Sequence, residues 1–415
     1  MRVEIRTRVT CMNTHFLYLH RISLVAVGLW PYHRTMLVQL QSCMVSLTMI
    51  SSIIFQLTTF LTTEWTIDLI IEILSISLFL LLCIIQYNCF WHNTHGVKHI
   101  LENLQYVCSE LKDENEIAII KKYGHIAKCF AIVFTLLTIC GLFILTLLPF
   151  LPRIFSIFSL VNESKSYCNI YIRTEYFVDQ EKYFYFILLH LYVAQYITGG
   201  ILLGAAILLA GYITYFCGLF NIASYRIEQA MQIINCDEIC NWKNKMEIDK
   251  KLSHAVDIHR TALEYVLFHA CRHIRTFTEF YLYNFERTYF LIIAIIVICL
   301  SLHLFGIFQA FSLYRMEVLV LHCGFTACTL ASSLAVNYMG QAITDHYNYI
   351  FSTAYNVRWY IAPVRVQRLI LFLLQTGAKA YDIKLGGFCT LSLENFASLS
   401  TASISYFTVI YSIHK

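Results

Sequence analysis

The sequence predicts an all-α, polytopic membrane protein with seven transmembrane helices, a cytosolic N-terminus and an extracellular C-terminus. Hydrophobic residues make up 58% of the 415 positions and charged residues only 13%, whereas a soluble domain carries about 25% charged residues. Seven stretches supply the roughly 20 apolar residues that a helix needs to cross the bilayer. Lys and Arg are concentrated on alternate connections between these stretches, which is the pattern that sets the orientation of a membrane protein.

The first 35 residues precede the spans, and we expect them to form a cytosolic or interfacial segment. Their apolar run, 22–30, is short and ends in Trp30-Pro31 rather than in the small residues of a signal cleavage site. The transmembrane domain then covers 36–413. Its predicted spans are 36–60, 66–87, 126–151, 183–218, 289–313, 318–344 and 385–413.

Two of these spans are expected to exceed the bilayer. The fourth is too long for a perpendicular helix, so it must tilt or emerge from the membrane. The fifth follows helical-looking sequence and is expected to extend into the cytosol. Trp65 and Trp91 bracket the second span, as interfacial aromatic residues do.

The orientation rests on the basic residues and on one glycosylation sequon. A cytosolic N-terminus places most of the 30 Lys and Arg residues on the cytosolic side. The sequon Asn162-Glu163-Ser164 follows the third span and becomes lumenal in the same arrangement. A G-protein-coupled receptor has its N-terminus outside, which would place Asn162 in the cytosol and the basic loop 219–275 outside.

Catalytic, cofactor, metal and nucleic-acid functions find no support in the sequence. It has no H-E-x-x-H, no G-x-S-x-G and no phosphate loop, and its 16 His residues are scattered without ligand spacing. Most of the 16 Cys residues lie in apolar segments, without a C-x-x-C. The net charge of +4 is small and dispersed. We therefore expect no enzyme, no cofactor and no resident metal.

Polar residues inside the spans are costly and are candidates for function. Glu72 lies in the outer part of the second span, where it either lines a cavity or pairs with a neighbouring helix. Small-molecule sites are mostly apolar with a few polar groups, and a set at similar outer depth could enclose one, although each member could instead serve helix packing. The candidate ligand residues are Glu72, Ile73, Phe143, Tyr192, Gln195, Tyr196, His322 and Phe325, with His190 nearby.

The seventh span differs from the others in its many hydroxyl groups. Ser405, Thr408 and Ser412 recur on one helical face, which Val409 and Ile413 border. Dense hydroxyls suit either a closely packed helix or a helix that faces water. A narrow pore with an apolar constriction would need this combination of residues.

The last fifth of the chain resembles the insect odorant receptors. Residues 401–412, TASISYFTVIYS, are similar to the last helix of that family, above all at Ser405-Tyr406-Phe407. Segments 354–360, AYNVRWY, and 391–396, LSLENF, resemble two further motifs, and Gly28-Leu29-Trp30-Pro31 is a weaker match. The sister gustatory receptors usually end in Thr-Tyr…Gln-Phe. No Gln-Phe follows Tyr406, which favours the odorant branch.

The resemblance implies a ligand-gated, non-selective cation channel. Four subunits would surround one pore formed by their last helices, with Val409 at a hydrophobic gate, Ile413 lining the pore nearby, and Thr408 and Ser412 as neighbours. A volatile ligand would lie in the outer halves of spans two, three, four and six. Tyr355, Trp359 and Tyr360 would serve a cytosolic subunit anchor that covers approximately 219–287 and 345–384.

The resemblance also implies partners and a location. An odour-specific subunit works with a shared co-receptor subunit in a heterotetramer, surrounded by lipid in the plasma membrane of a sensory dendrite. This chain lacks the long insertion between spans four and five that is typical of the co-receptor, so it is expected to be a tuning subunit. The alternatives are a gustatory receptor of the same superfamily and a seven-helix receptor linked to a G protein.

Overall fold

The computed structural model describes most of the chain and nearly all residues of the predicted spans. The described residues are 16–32, 35–92, 94, 98, 102, 111, 113–150, 172–235, 250, 253, 285–362, 364–377, 384–385 and 389–414.

Helices dominate the described part of the chain. The helices are α1 Phe16–Ala26, α2 Met36–Leu57, α3 Thr59–Thr62, α4 Ile67–His92, α5 Glu114–Leu147, α6 Phe184–Asn235, α7 Phe285–Ser312, α8 Met316–Asn356, α9 Val364–Gly377 and α10 Leu393–His414. Single 3₁₀ turns, Leu148–Phe150 and Trp359–Ile361, follow α5 and α8.

Among the described residues, seven helical segments are long and apolar enough to cross a membrane. They are α2 with α3, then α4, α5, α6, α7, α8 and α10. The prediction of an all-α fold with seven spans is therefore confirmed, apart from one short pair of strands described below. We call the end of the bundle formed by 58–66, 172–183 and 313–315 the Arg173 end, and the opposite end, which carries 357–362, the Trp359 end.

Three helices continue beyond bilayer length at the Trp359 end. Helix α6 has 52 residues, which at 1.5 Å per residue corresponds to about 78 Å. Helix α8 has 41 residues. Helix α5 begins at Glu114, earlier than predicted, because the Asp113 side chain accepts a hydrogen bond from the backbone N–H of Asn115 at 2.9 Å.

The start of the last span was predicted wrongly. Helix α10 begins at Leu393 rather than at 385, because β1 Lys384–Leu385 pairs antiparallel with β2 Cys389–Thr390. The Ser392 hydroxyl then accepts a hydrogen bond from the N–H of Asn395 at 3.1 Å and caps the helix. An apolar run alone does not distinguish these strands from a helix.

Helix α6 is the centre of the bundle, since it packs along α5 and α8 and also contacts α1, α2 and α4. One core cluster joins α5, α6, α8 and α9 towards the Trp359 end, and includes Phe220, Tyr347 and Ile370. A second cluster joins α1, α2, α4, α6, α7 and α8. The outer faces of α2 and α5 expose large apolar side chains, as expected of lipid-facing helices.

Helix α1 packs into this bundle through two glycines of α6. A Cβ at Gly200 would lie 3.0 Å from Val27, and one at Gly204 would lie 3.4 Å from Leu24. The hydroxyl of Tyr87 donates to the carbonyl of Val27 at 3.1 Å. The small residues of α6 therefore allow close packing within the chain.

Candidate functional site

A buried polar cluster lies between α4, α7 and α8, near the Arg173 end. It contains Glu72 of α4, His303 of α7 and His322 of α8, all of them buried. The Nδ1 atoms of the two histidines are 3.1 Å apart, so one donates a hydrogen bond to the other. Buried polar side chains in a membrane bundle are costly unless they have partners or a function. The cluster is therefore the first candidate for a site.

The two histidines are held by close packing on both sides. Phe325 stacks on His303, with ring centroids 5.3 Å apart and an interplanar angle of 14°. On the other side, a Cβ at Gly306 would lie 2.7 Å from Cε1 and Nε2 of His322. The missing side chain of Gly306 is what lets His322 lie directly against α7.

A small cavity adjoins the cluster. Its volume is about 10 Å³, which is roughly the space that one water molecule needs. Its charged and polar lining is Glu72, Gln309, Arg315 and His322, and its apolar lining is Ile71, Ala310, Leu313 and Val318, with Gly306 beside them. The exposed Leu313 lies at its mouth, on the α7–α8 turn.

The segment 172–183 covers the Arg173 end and forms an ion pair with Glu72. The guanidinium Nε of Arg173 donates to Oε2 of Glu72 at 3.0 Å. The N–H of Glu175 donates to the carbonyl of Phe55 at 2.8 Å, and the Thr58 hydroxyl donates to the carbonyl of Glu175 at 2.8 Å. The sequence left open whether Glu72 lines a cavity or pairs with a neighbouring helix. Glu72 lines the cavity, and its partner Arg173 lies on the non-helical segment 172–183 and not on a neighbouring helix.

Tyr176 fixes the same segment to α2 and α6. Its hydroxyl lies 2.7 Å from Nδ1 of His190, whose Nε2 lies 2.9 Å from the Ser51 hydroxyl. Its ring stacks on Phe55 at 4.1 Å. Burial raises the pKa of Tyr176 to about 12, so the phenol stays protonated and can donate to His190. No sequence motif pointed to Arg173 or Tyr176.

The candidate ligand residues form two groups. Glu72 and His322 share the cavity lining, and Phe325 joins them through its contact with His303. Ile73 is buried on α4 beside Glu72.

The second group surrounds Thr146 on α5. Tyr192 donates to the Thr146 carbonyl at 2.8 Å, and the hydroxyls of Tyr196 and Thr146 are 3.0 Å apart. Phe143 is 61% exposed and Tyr196 is 50% exposed, and Gln195 is partly buried. Phe143 and Tyr196 therefore lie on the outer surface of the bundle and do not line the cavity.

The predicted pore residues lie on the exposed side of α10. Val409 is 52% exposed and Ile413 is 75% exposed, and Ser405, Thr408 and Ser412 are also exposed. Each of these hydroxyls donates to a carbonyl of the same helix, at 2.7 to 3.0 Å. Because each hydroxyl proton is used within the helix, the hydroxyl oxygens present mainly acceptors to the surroundings.

The opposite face of α10 packs on α7. The Ser301 hydroxyl shares its proton between the carbonyl of Val297 in its own helix, at 2.7 Å, and the carbonyl of Ser403, at 3.0 Å. Phe407 and Ile410 pack against a cluster that contains Phe305. The ring of Tyr411 meets Phe308 edge to face at 4.7 Å. Helix α7 therefore contacts the cavity on one side and α10 on the other.

The anchor candidates lie at the Trp359 end. Tyr355 and Tyr360 are exposed, whereas Trp359 is partly buried against the core cluster of that end. Asn162, and most of the anchor region between 236 and 284, lie outside the described residues.

Comparison with known proteins gives a family and a fold. A family model described as "7tm Odorant receptor" matches residues 66–404. The structures of the insect olfactory receptor OR5 from Machilis hrabei, with eugenol and without it, match with TM-scores of 0.72 and 0.68. Each is 14% identical and covers 99% of both chains. No curated protein matches the sequence.

Proposed function

The chain belongs to the 7tm odorant receptor family, and on that premise we propose that it is the odour-specific subunit of a ligand-gated, non-selective cation channel. It is a multi-pass membrane protein. In the proposal it acts at the plasma membrane of a sensory neuron, in a heterotetramer with a co-receptor subunit. The Arg173 end faces outward, and the N-terminus is cytosolic. The ligand is a small volatile molecule, and the related receptor of Machilis hrabei was solved in complex with eugenol.

The observation that carries the channel function is the two-sided character of α10. One face packs on α7, and the other exposes Val409 and Ile413 beside hydroxyl groups. When subunits surround an axis, four such faces converge. Their hydroxyl oxygens can then contact hydrated cations, and the aliphatic side chains form the narrow apolar ring that closes a pore by excluding water.

Helix α7 supplies the connection between ligand and pore. Gly306 and Ala310 line the cavity, while Ser301 and Phe305 contact α10. The cavity is too small for a volatile molecule, so a ligand must displace side chains to enter it. Displacement on the cavity side of α7 would move its contacts with α10. A ligand that fits the displaced arrangement better than the packed one therefore favours a different position of the pore helix.

The exposed aromatic residues at the Trp359 end support the assembly. Tyr355 and Tyr360 are largely exposed, and aromatic residues are enriched where protein surfaces meet. In the proposal they contact neighbouring subunits in the cytosol. Trp359, which packs against the core of its own chain, fixes the turn that presents them.

The test is expression with a co-receptor subunit and recording of whole-cell current during application of volatile compounds. The pair should give odour-evoked cation currents, and this chain alone should give little or none. Surface biotinylation should confirm that the chain reaches the membrane in both conditions. Evoked signals that persist in excised patches without nucleotides support a channel. Signals that require a G protein would contradict the proposal.

A further inference from the structure

The two carboxylate oxygens of Glu72 differ in their hydrogen bonding. Oε2 accepts from Arg173 at 3.0 Å. Oε1 is buried and has no hydrogen-bond partner among the described residues, although Glu72 is only 8% exposed and lines the cavity. A buried acceptor without a donor is unfavourable relative to one that is paired. The cavity therefore favours an occupant that donates a hydrogen bond.

His322 complements this acceptor. Its Nδ1 is engaged with His303, and its ring edge with Nε2 faces Gly306, which also lines the cavity. The Nε2 atom of His303 is buried without a partner in the described part of the chain. An unpaired buried N–H is less favourable than an unpaired acceptor, so the proton between the rings is best assigned to Nδ1 of His303. Nε2 of His322 then carries a proton and can donate.

The two groups that face the cavity select an occupant that both donates and accepts a hydrogen bond. An ammonium group only donates, so it cannot accept from Nε2 of His322, and a carboxylate only accepts, so it cannot donate to Oε1 of Glu72. A hydroxyl group does both. It can donate to Oε1 of Glu72 and accept from Nε2 of His322.

We propose that this cavity is the polar anchor of the ligand site and that it selects neutral hydroxyl compounds, alcohols or phenols, over their ethers and hydrocarbons. The cavity of about 10 Å³ holds the hydroxyl group, and the carbon body lies against Leu313 and Val318 at the mouth. The proposal rests on the proposed receptor function and names the chemical class of its ligand.

The test compares compounds that share a carbon skeleton, on the full chain expressed with a co-receptor. One series is octanol, its methyl ether and octane, and a second is benzyl alcohol, benzyl methyl ether and toluene. The alcohols should activate at concentrations at least about tenfold below those of the ethers, because the ether leaves Oε1 unpaired. The hydrocarbons should be weaker still. Equal potency of the three members in both series overturns the proposal and leaves the channel function standing.

Glu72→Gln supplies the second arm. The amide oxygen can still accept from Arg173, while the amide NH₂ replaces Oε1 as a donor. The preference for alcohol over ether should therefore vanish or reverse in this variant. Glu64→Gln is the matched control, because Glu64 is an exposed carboxylate at the same end of the bundle, and it should keep the preference.

The outcomes separate the two proposals. An unchanged alcohol preference in Glu72→Gln, at normal surface expression, shows that Glu72 does not bind the hydroxyl group and overturns the anchor. If Glu72→Gln does not reach the surface, the wild-type comparison alone decides. A wild-type chain that reaches the surface with a co-receptor and responds to no compound overturns both the channel function and the ligand class.

Discussion

Gly306→Ala tests whether His322 is fixed against α7. The added methyl carbon would lie 2.7 Å from Cε1 and Nε2 of the His322 ring and 2.8 Å from Cδ2. Non-bonded heavy atoms are normally about 3.5–4.0 Å apart, so the ring must move by roughly 0.7–1.3 Å. His322 is buried, and the 3.1 Å contact between its Nδ1 and that of His303 cannot survive a displacement of this size in most directions.

The expected loss of stability follows from three effects. Overpacking costs about 1–3 kcal/mol, and the lost histidine contact costs about 1 kcal/mol. Replacement of a helical glycine by alanine stabilises the helix by about 1 kcal/mol. The net destabilisation is therefore about 1–3 kcal/mol. A lower melting temperature of the detergent-solubilised protein, followed by fluorescence size-exclusion chromatography after heating, would show it. Odour-evoked current should also fall, because Gly306 lines the cavity.

Gly324→Ala is the matched control for this substitution. Gly324 lies on α8 close to His322 in sequence, and a Cβ there would meet nothing within 4 Å. Both substitutions make the same change in helix propensity, so the difference between them isolates the contact with His322. If the two variants have the same melting temperature and the same dependence of current on odour concentration, the packing described for His322 is refuted.

Three further predictions concern topology, the pore and the coupling between helices. An N-terminal epitope should stain only in permeabilised cells, and a C-terminal epitope should stain in intact cells. If glycosidase shifts the electrophoretic band of the protein, Asn162→Gln should remove that shift. Staining of the N-terminal epitope on intact cells would contradict the orientation. With a co-receptor, Val409→Ser should raise basal current because a polar ring is easier to wet. Ile413→Asp and Ile413→Lys should change cation permeation in opposite senses. Unchanged currents in all three variants would show that α10 does not line the pore. Ser301→Ala removes the hydroxyl whose proton is shared between the carbonyls of Val297 and Ser403. The half-maximal odour concentration should shift by up to about fivefold at normal surface expression, as expected for a contribution of up to about 1 kcal/mol. An unshifted response would show that this contact does not take part in gating.

Hydrophobic length and composition were sufficient to predict the spans. All seven occur in the structure, because the backbone of a membrane-spanning segment must satisfy its own hydrogen bonds and a helix does so locally. The ends of the helices were less predictable. The start of α5 depends on the cap supplied by Asp113, and the start of α10 depends on the strand pair that precedes Ser392. Neither feature changes the apolar character of the segment.

The arrangement of the candidate site was only partly predictable for a different reason. Depth along a span indicates which residues lie in the same layer of the bundle, and it grouped Glu72 with His322. It does not say in which direction a side chain points. Phe143 and Tyr196 have the same depth but lie on the exposed side of the α5–α6 pair. The sequence did not indicate that Arg173 is the partner of Glu72, because Arg173 lies 101 positions further along the chain.

His303 shows what the polar cluster adds to the function. It lies on α7, the helix between the cavity and α10, and within the described part of the chain its ring forms a hydrogen bond with His322. In the proposed site, a ligand that contacts His322 would act, through the contact of 3.1 Å with His303, on α7, whose Ser301 lies within hydrogen-bond distance of Ser403 in α10. Apolar residues in these places would pack as well and would form no directional bond across α7 and α8. The buried histidine pair therefore gives a hydrogen-bonded route from the cavity to α7, beside the apolar contact through Ile71, which lines the cavity and packs in the same cluster as Phe407 and Ile410 of α10.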